Sequence, residues 1–102
     1  MRAGLALVLA CCSREPDRAP CSTVAARFDH VARAGLGSDV DDAVRRGVEA
    51  QLPGIRTTLE RLCTDDKWTA AVRDCMVAAD DRVAFDACAQ MLTDDQRRAL
   101  DK

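Results

Sequence analysis

The chain has 102 residues and a formal net charge of −2, and its aromatic side chains are two Phe, one Trp and no Tyr. That length supports one domain. So few aromatics leave little to stack on nucleobases, and no dense run of Lys or Arg offers nucleic acid an electrostatic footprint. Gly and Pro are scarce, at five and three. Ala and Leu lose little freedom in a helix, whereas strands favour β-branched and aromatic residues, so the composition points to an all-α fold. The charge is +2 through Ala34 and −4 from Gly35 onward, a solvated and mildly acidic surface. Six cysteines in so short a chain point to an oxidising compartment.

Met1-Arg2 is a minimal charged start, Ala3 to Ala10 is an apolar run, and Cys11 follows it. A charged start, an apolar stretch and a small residue before a cut site make a secretory signal. The run is near the lower limit of ~7 residues for such a signal and far below the ~20 of a spanning helix. Val8-Leu9-Ala10-Cys11 resembles the lipobox of bacterial lipoproteins. The resemblance implies cleavage before Cys11 and a lipid on that cysteine; Leu9 departs from the smaller residue usual in that family. Residues 1–10 are then a signal peptide. Ser13 to Pro20 is polar, with two prolines and no apolar period, so 11–20 form a lipidated tether and 21–102 a helical domain.

Four to five helices are predicted in the domain. The first spans about Ser22 to Ala34, with Cys21, Val24, Phe28 and Val31 on one face, and ends at Gly35 and Gly37. The second starts near Asp39 behind a Ser38 cap. Its apolar stripe is Val40, Val44, Val48, Leu52, Ile55, Leu59 and Leu62. Pro53 interrupts that stripe and predicts a kink or break near Gln51–Gly54. Thr64-Asp65-Asp66 is expected to cap a third helix, from about Asp65 to Ala79, with Trp68, Val72, Cys75, Met76 and Ala79 inward. A fourth, about Asp81 to Met91, is expected to bury Ala84, Ala87, Cys88 and Met91. Thr93-Asp94-Asp95-Gln96 is a capping box that opens a short terminal helix.

Cys21, Cys63, Cys75 and Cys88 lack the close pairing of metal ligands and the spacing of a haem site, so they are expected to form structural disulfides. Helices three and four flank Asp80-Asp81, and Cys75 and Cys88 lie equidistant from that turn. In an antiparallel hairpin they face each other, which fits the ~5.5–6 Å Cα separation of a disulfide. Cys21 and Cys63 pair by elimination. His30, the sole histidine, reads as a helix-surface residue. The pairs Asp41/Asp42, Asp65/Asp66, Asp80/Asp81 and Asp94/Asp95 read mostly as helix starts, where the dipole favours negative charge. Trp68 is expected to anchor the core over a disulfide. No catalytic, cofactor-binding or metal site is expected from these residues.

Two resemblances bear on function. Cys63-Thr-Asp-Asp-Lys67-Trp68, Cys75, Asp86-Ala-Cys88 and Leu92 resemble a pattern of small exported four-cysteine helical proteins of GC-rich bacteria, a group that brings no activity with it. Leu92-Thr93-Asp94-Asp95-Gln96 is similar to the Leu-Thr-x-x-Gln motif of the periplasmic Spy and CpxP family. That similarity implies a helical, cradle-shaped chaperone, although the family usually shows the motif twice and this chain shows it once. The leading expectation is a non-enzymatic cell-envelope protein, periplasmic or anchored to the outer membrane. It would touch the membrane only through its N-terminal lipid, take no nucleic acid, and present a helical module to a protein partner in the envelope. The alternatives are a periplasmic holdase and a thiol-redox protein.

Overall fold

The computed structural model describes residues 19–101. The expected signal peptide (1–10), Cys11 and residues 11–18 of the expected tether lie outside the described residues. Five α-helices follow one another, with no strand among the described residues: α1 (Cys21–Ala34), α2 (Asp42–Asp65), α3 (Ala70–Val77), α4 (Arg82–Cys88) and α5 (Asp94–Leu100). A 3₁₀ turn, Ala89–Met91, extends α4. The fold is the small, disulfide-stapled all-α bundle that composition and cysteine count predict.

Helix α1 is the hub, packing along α2 and touching α3 and α4. It buries Val24, Ala25 and Val31, with Val24 and Val31 seven residues, or two turns, apart on one helical face. It also buries Asp29, whose carboxylate meets Arg33 one turn on and Arg56 of α2 at 3.3 Å. A buried carboxylate needs such partners, since an unpaired one costs several kcal/mol or reverts to its neutral form.

Helices α1 and α2 run antiparallel, with Cys21 opposite Cys63, Asp29 opposite Arg56, and Arg33 opposite Glu49 at 3.5 Å. At 1.5 Å per residue α1 is about 21 Å long and α2 about 36 Å. The first two turns of α2 therefore outrun their partner. Only Leu52, Leu59 and Cys63 of the predicted stripe and its continuation are buried; Val44 is 54% exposed and Ile55 is at the surface. The apolar period is real, but half of it has nothing to pack on.

The expected break at Pro53 does not occur, and α2 is continuous through it. A proline inside a helix removes one backbone bond, at a cost of about 3 kcal/mol. Leu52 and Leu59, buried on either side, hold the segment against the bundle. Two interior glycines weaken α2 further. A Cβ at Gly47 or Gly54 would meet nothing within 4 Å. Replacing either by Ala is expected to stabilise the fold by about 0.5–1 kcal/mol, read from the urea midpoint.

Thr64-Asp65-Asp66 does not start a helix. These residues end α2, and the chain closes there in a Schellman turn: Trp68 N–H donates to the Cys63 carbonyl at 3.1 Å, and Lys67 N–H to that of Thr64 at 3.3 Å. Lys67 takes the left-handed conformation (φ 55°) that such turns usually give to glycine. Trp68 thus sits in the turn before α3, and the cap of α3 is Thr69, whose hydroxyl accepts from Val72 N–H.

Asp81 caps α4 by accepting from Ala84 N–H at 2.8 Å. The buried face of α4 is Phe85 and Cys88, followed by Leu92. Ala84 and Ala87, expected inside, are exposed, and Met91 is 52% exposed. The inward face is turned by one residue from the predicted one, because Phe85 has far more apolar area to hide than Ala84. Helix α5 opens on the predicted capping box, with Thr93 and Gln96 exchanging hydrogen bonds at 3.0 and 3.1 Å. It buries no residue fully. Leu100 packs against the core edge, and Gln96 Nε2 donates to the Asp66 carbonyl at 3.0 Å.

Candidate functional site

The four domain cysteines form two bonds, Cys21–Cys63 and Cys75–Cys88, with Cα separations of 5.7 and 5.8 Å. The first joins the start of α1 to the last turn of α2. The second joins α3 to α4 across the Asp80-Asp81 turn. Near the first bond the chain enters the fold: Ala19 N–H donates to Asp74 Oδ1 at 3.1 Å, and Arg73 Nη1 donates to the Ala19 carbonyl at 2.8 Å. The entry point is thus gripped at both backbone groups before the helix begins.

His30 lies exposed on α1 beside a shallow hollow of about 270 Å³ bordered by Thr23, Ala26 and Arg27. Thr23 stands two turns before His30 on the same helical face. Of the acidic pairs, Asp41/Asp42, Asp80/Asp81 and Asp94/Asp95 stand at helix starts as read from sequence, whereas Asp65/Asp66 stand at a helix end. Asp94 and Asp95 pair with Arg97 and Arg98 within α5. Among the described residues, no group of three or more His, Cys, Asp or Glu side chains is placed to hold a metal ion. No described helix is long and apolar enough to cross a membrane.

The feature that sequence reasoning missed is a cleft of about 430 Å³ between α2, α4 and α5. Its floor is the core itself: Leu59, Trp68, Met76 and Phe85, all buried. Phe28 meets Phe85 edge to face, with ring centroids 5.4 Å apart. At the rim, Arg82 lies over the Phe28 ring at 4.9 Å while its Nε donates to both carboxylate oxygens of Asp86, at 2.9 and 3.1 Å. Leu100 of α5 borders the cleft, and beyond it a second hollow of about 670 Å³ continues along α2 past Gly54, Thr58 and Leu62. Ile55, Leu59 and Leu100 line both.

Trp68 is 3% exposed, as expected of a core anchor, but its indole N–H is buried without a hydrogen-bond partner. Such an orphan donor costs about 1–3 kcal/mol. Ile55, a member of the apolar stripe of α2, was the one sequence signal available for the cleft, and it reads as core until the partial cover given by α5 is known. A second apolar strip lies on the outer face of α4. Val83 is 79% exposed, and Ala87 and Met91 follow it at helical spacing. No family model, curated protein or solved structure matches the chain.

Proposed function

We propose that this protein is a non-enzymatic module of the bacterial cell envelope, exported and held at a membrane by a lipid on Cys11, which presents the outer face of α4 to a protein partner. The observation that carries the reading is the Val83–Ala87–Met91 strip. Large apolar side chains left open to water on a helix that has already satisfied its core side favour association. The strip stands on the α3–α4 hairpin, which the Cys75–Cys88 bond holds rigid, and a preorganised surface loses little entropy on binding. The oxidised cysteines suit an exported chain. Val8-Leu9-Ala10-Cys11, with its resemblance to a lipobox, supports the lipid anchor.

Two measurements test the two halves. The intact mass of protein extracted from membranes is expected to show an N-terminus at Cys11 carrying acyl chains; an unmodified chain in the cytosol sinks the anchor. A photo-crosslinker at Val83 or Met91 is expected to give one discrete adduct in the native envelope. The same probe at Ser22 or Glu60, on other faces, is expected to give none. Equal labelling from all four positions removes the α4 strip from consideration.

A further inference from the structure

We propose that the cleft between α2, α4 and α5 binds a single-chain amphiphile with an anionic head. The chain would lie over Trp68 and Met76, and the head would meet the Arg82 guanidinium. The inference goes beyond the partner surface on α4 and does not depend on it.

Shape comes first. The near hollow holds about 430 Å³ and the far one about 670 Å³, and three residues of α2 and α5 are common to both. Together they follow α2 from Ala50 to Leu62, a run of about 18 Å at 1.5 Å per residue. The space is elongated along α2 and apolar on its floor. Gly54 keeps the far end open, since nothing approaches the place of its missing Cβ.

Chemistry then selects the occupant. The walls are helices whose backbone groups are bonded internally, so an extended peptide laid here would leave its own amides unpaired, at a cost of about 1–3 kcal/mol each. A helical peptide would satisfy its own backbone. At ~10 Å across and ~5.4 Å per turn, however, it would fill the near hollow with a single turn. An acyl chain brings no polar group to satisfy and fits the apolar floor. At the mouth, Arg82 and Arg97 line the hollow together with the carboxylates of Asp86 and Asp101; only Nε of Arg82 is engaged with Asp86, and its terminal nitrogens have no hydrogen-bond partner among the described residues. Stacked on Phe28, this guanidinium is held in place to take a carboxylate or phosphate in charge-assisted hydrogen bonds. A fatty acid and a lysophospholipid share that chemistry.

Trp68 is the only tryptophan, so its emission reports on the cleft directly. The full-length chain carrying Cys11→Ser, with no attached lipid to compete, is titrated below the micelle threshold with dodecanoate, dodecyl phosphate and the neutral dodecyl maltoside. The expected result is saturable one-to-one binding of the anionic ligands, and 11-bromoundecanoate is expected to quench Trp68 along the same saturation curve. The stronger of dodecanoate and dodecyl phosphate identifies which kind of head is preferred. Arg82→Gln is expected to weaken anionic binding roughly tenfold, the scale of one hydrogen bond to a charged group, and to leave maltoside unchanged. Gly54→Leu, on an exposed helical site that tolerates the side chain, is expected to remove the advantage of dodecanoate over octanoate. Absence of saturable binding by either anionic ligand overturns the proposal, as does equal binding of dodecyl maltoside or brominated-chain quenching that never saturates.

Discussion

Replacing Cys21 and Cys63 together by alanine is expected to lower the unfolding free energy by about 4 kcal/mol, the value chain entropy assigns to a loop of this length. The two residues are 42 apart in sequence. The Cys75–Cys88 bond spans 13, and the same relation gives about 3 kcal/mol for it. At 0.05–0.15 kcal/mol per residue, a domain of this size has a net stability of about 4–12 kcal/mol. Loss of the longer staple is therefore a third of the total at the least, and loss of both approaches unfolding. Urea denaturation of the two double variants gives the ranking. If the Cys75–Cys88 variant proves the weaker one, strain or residual structure outweighs loop length, and the entropic account fails for this fold.

The second large effect is at Trp68. Trp68→Ala is expected to cost about 3–5 kcal/mol, the scale for deleting a buried aromatic. Trp68→Phe is expected to cost much less than its loss of volume suggests, because it also removes the indole N–H that is buried without a partner. The contrast between the two variants carries the information. A Phe variant as unstable as the Ala variant would mean that the N–H is satisfied in solution, for example by a bound water. Native-state quenching by acrylamide is expected to be slow, since the ring is almost wholly covered.

What the sequence made legible follows the physics of short-range pattern. The Cys75–Cys88 bond was legible because a helical hairpin is symmetric about its turn, and Asp80-Asp81 marked that turn. The Thr93–Gln96 capping box was legible because it is local. The end of α2 was not. Thr64-Asp65-Asp66 carries the composition of a helix start, and the left-handed residue that ends the helix is Lys67 rather than glycine. The burial of α4 was misjudged by one residue, since Phe85 and Ala84 differ in what they gain from burial and not in periodicity. The cleft was invisible because it arises from tertiary packing: α1 runs along α2 from Glu49 to Cys63, and the short α5 covers only part of another side of that same stretch. Arg82 gave no signal at all, as an arginine one residue past a cap is an ordinary sight.

The grip on Ala19 gives the molecule a mechanical character. Tension applied at Ala19 first meets two hydrogen bonds, from Arg73 and to Asp74. Once these yield, the load enters the Cys21–Cys63 bond and passes straight to the end of α2, so α1 and nearly all of α2 are bypassed. The second bond shields the turn between α3 and α4 in the same way. Pulled between Ala19 and Asp101, the oxidised chain can release only about 27 residues, or about 90 Å at ~3.4 Å each. The reduced chain can release about three times that length. In an optical trap the oxidised protein is thus a short-stroke spring, with the hub helix and the cores of both loops outside the path of force.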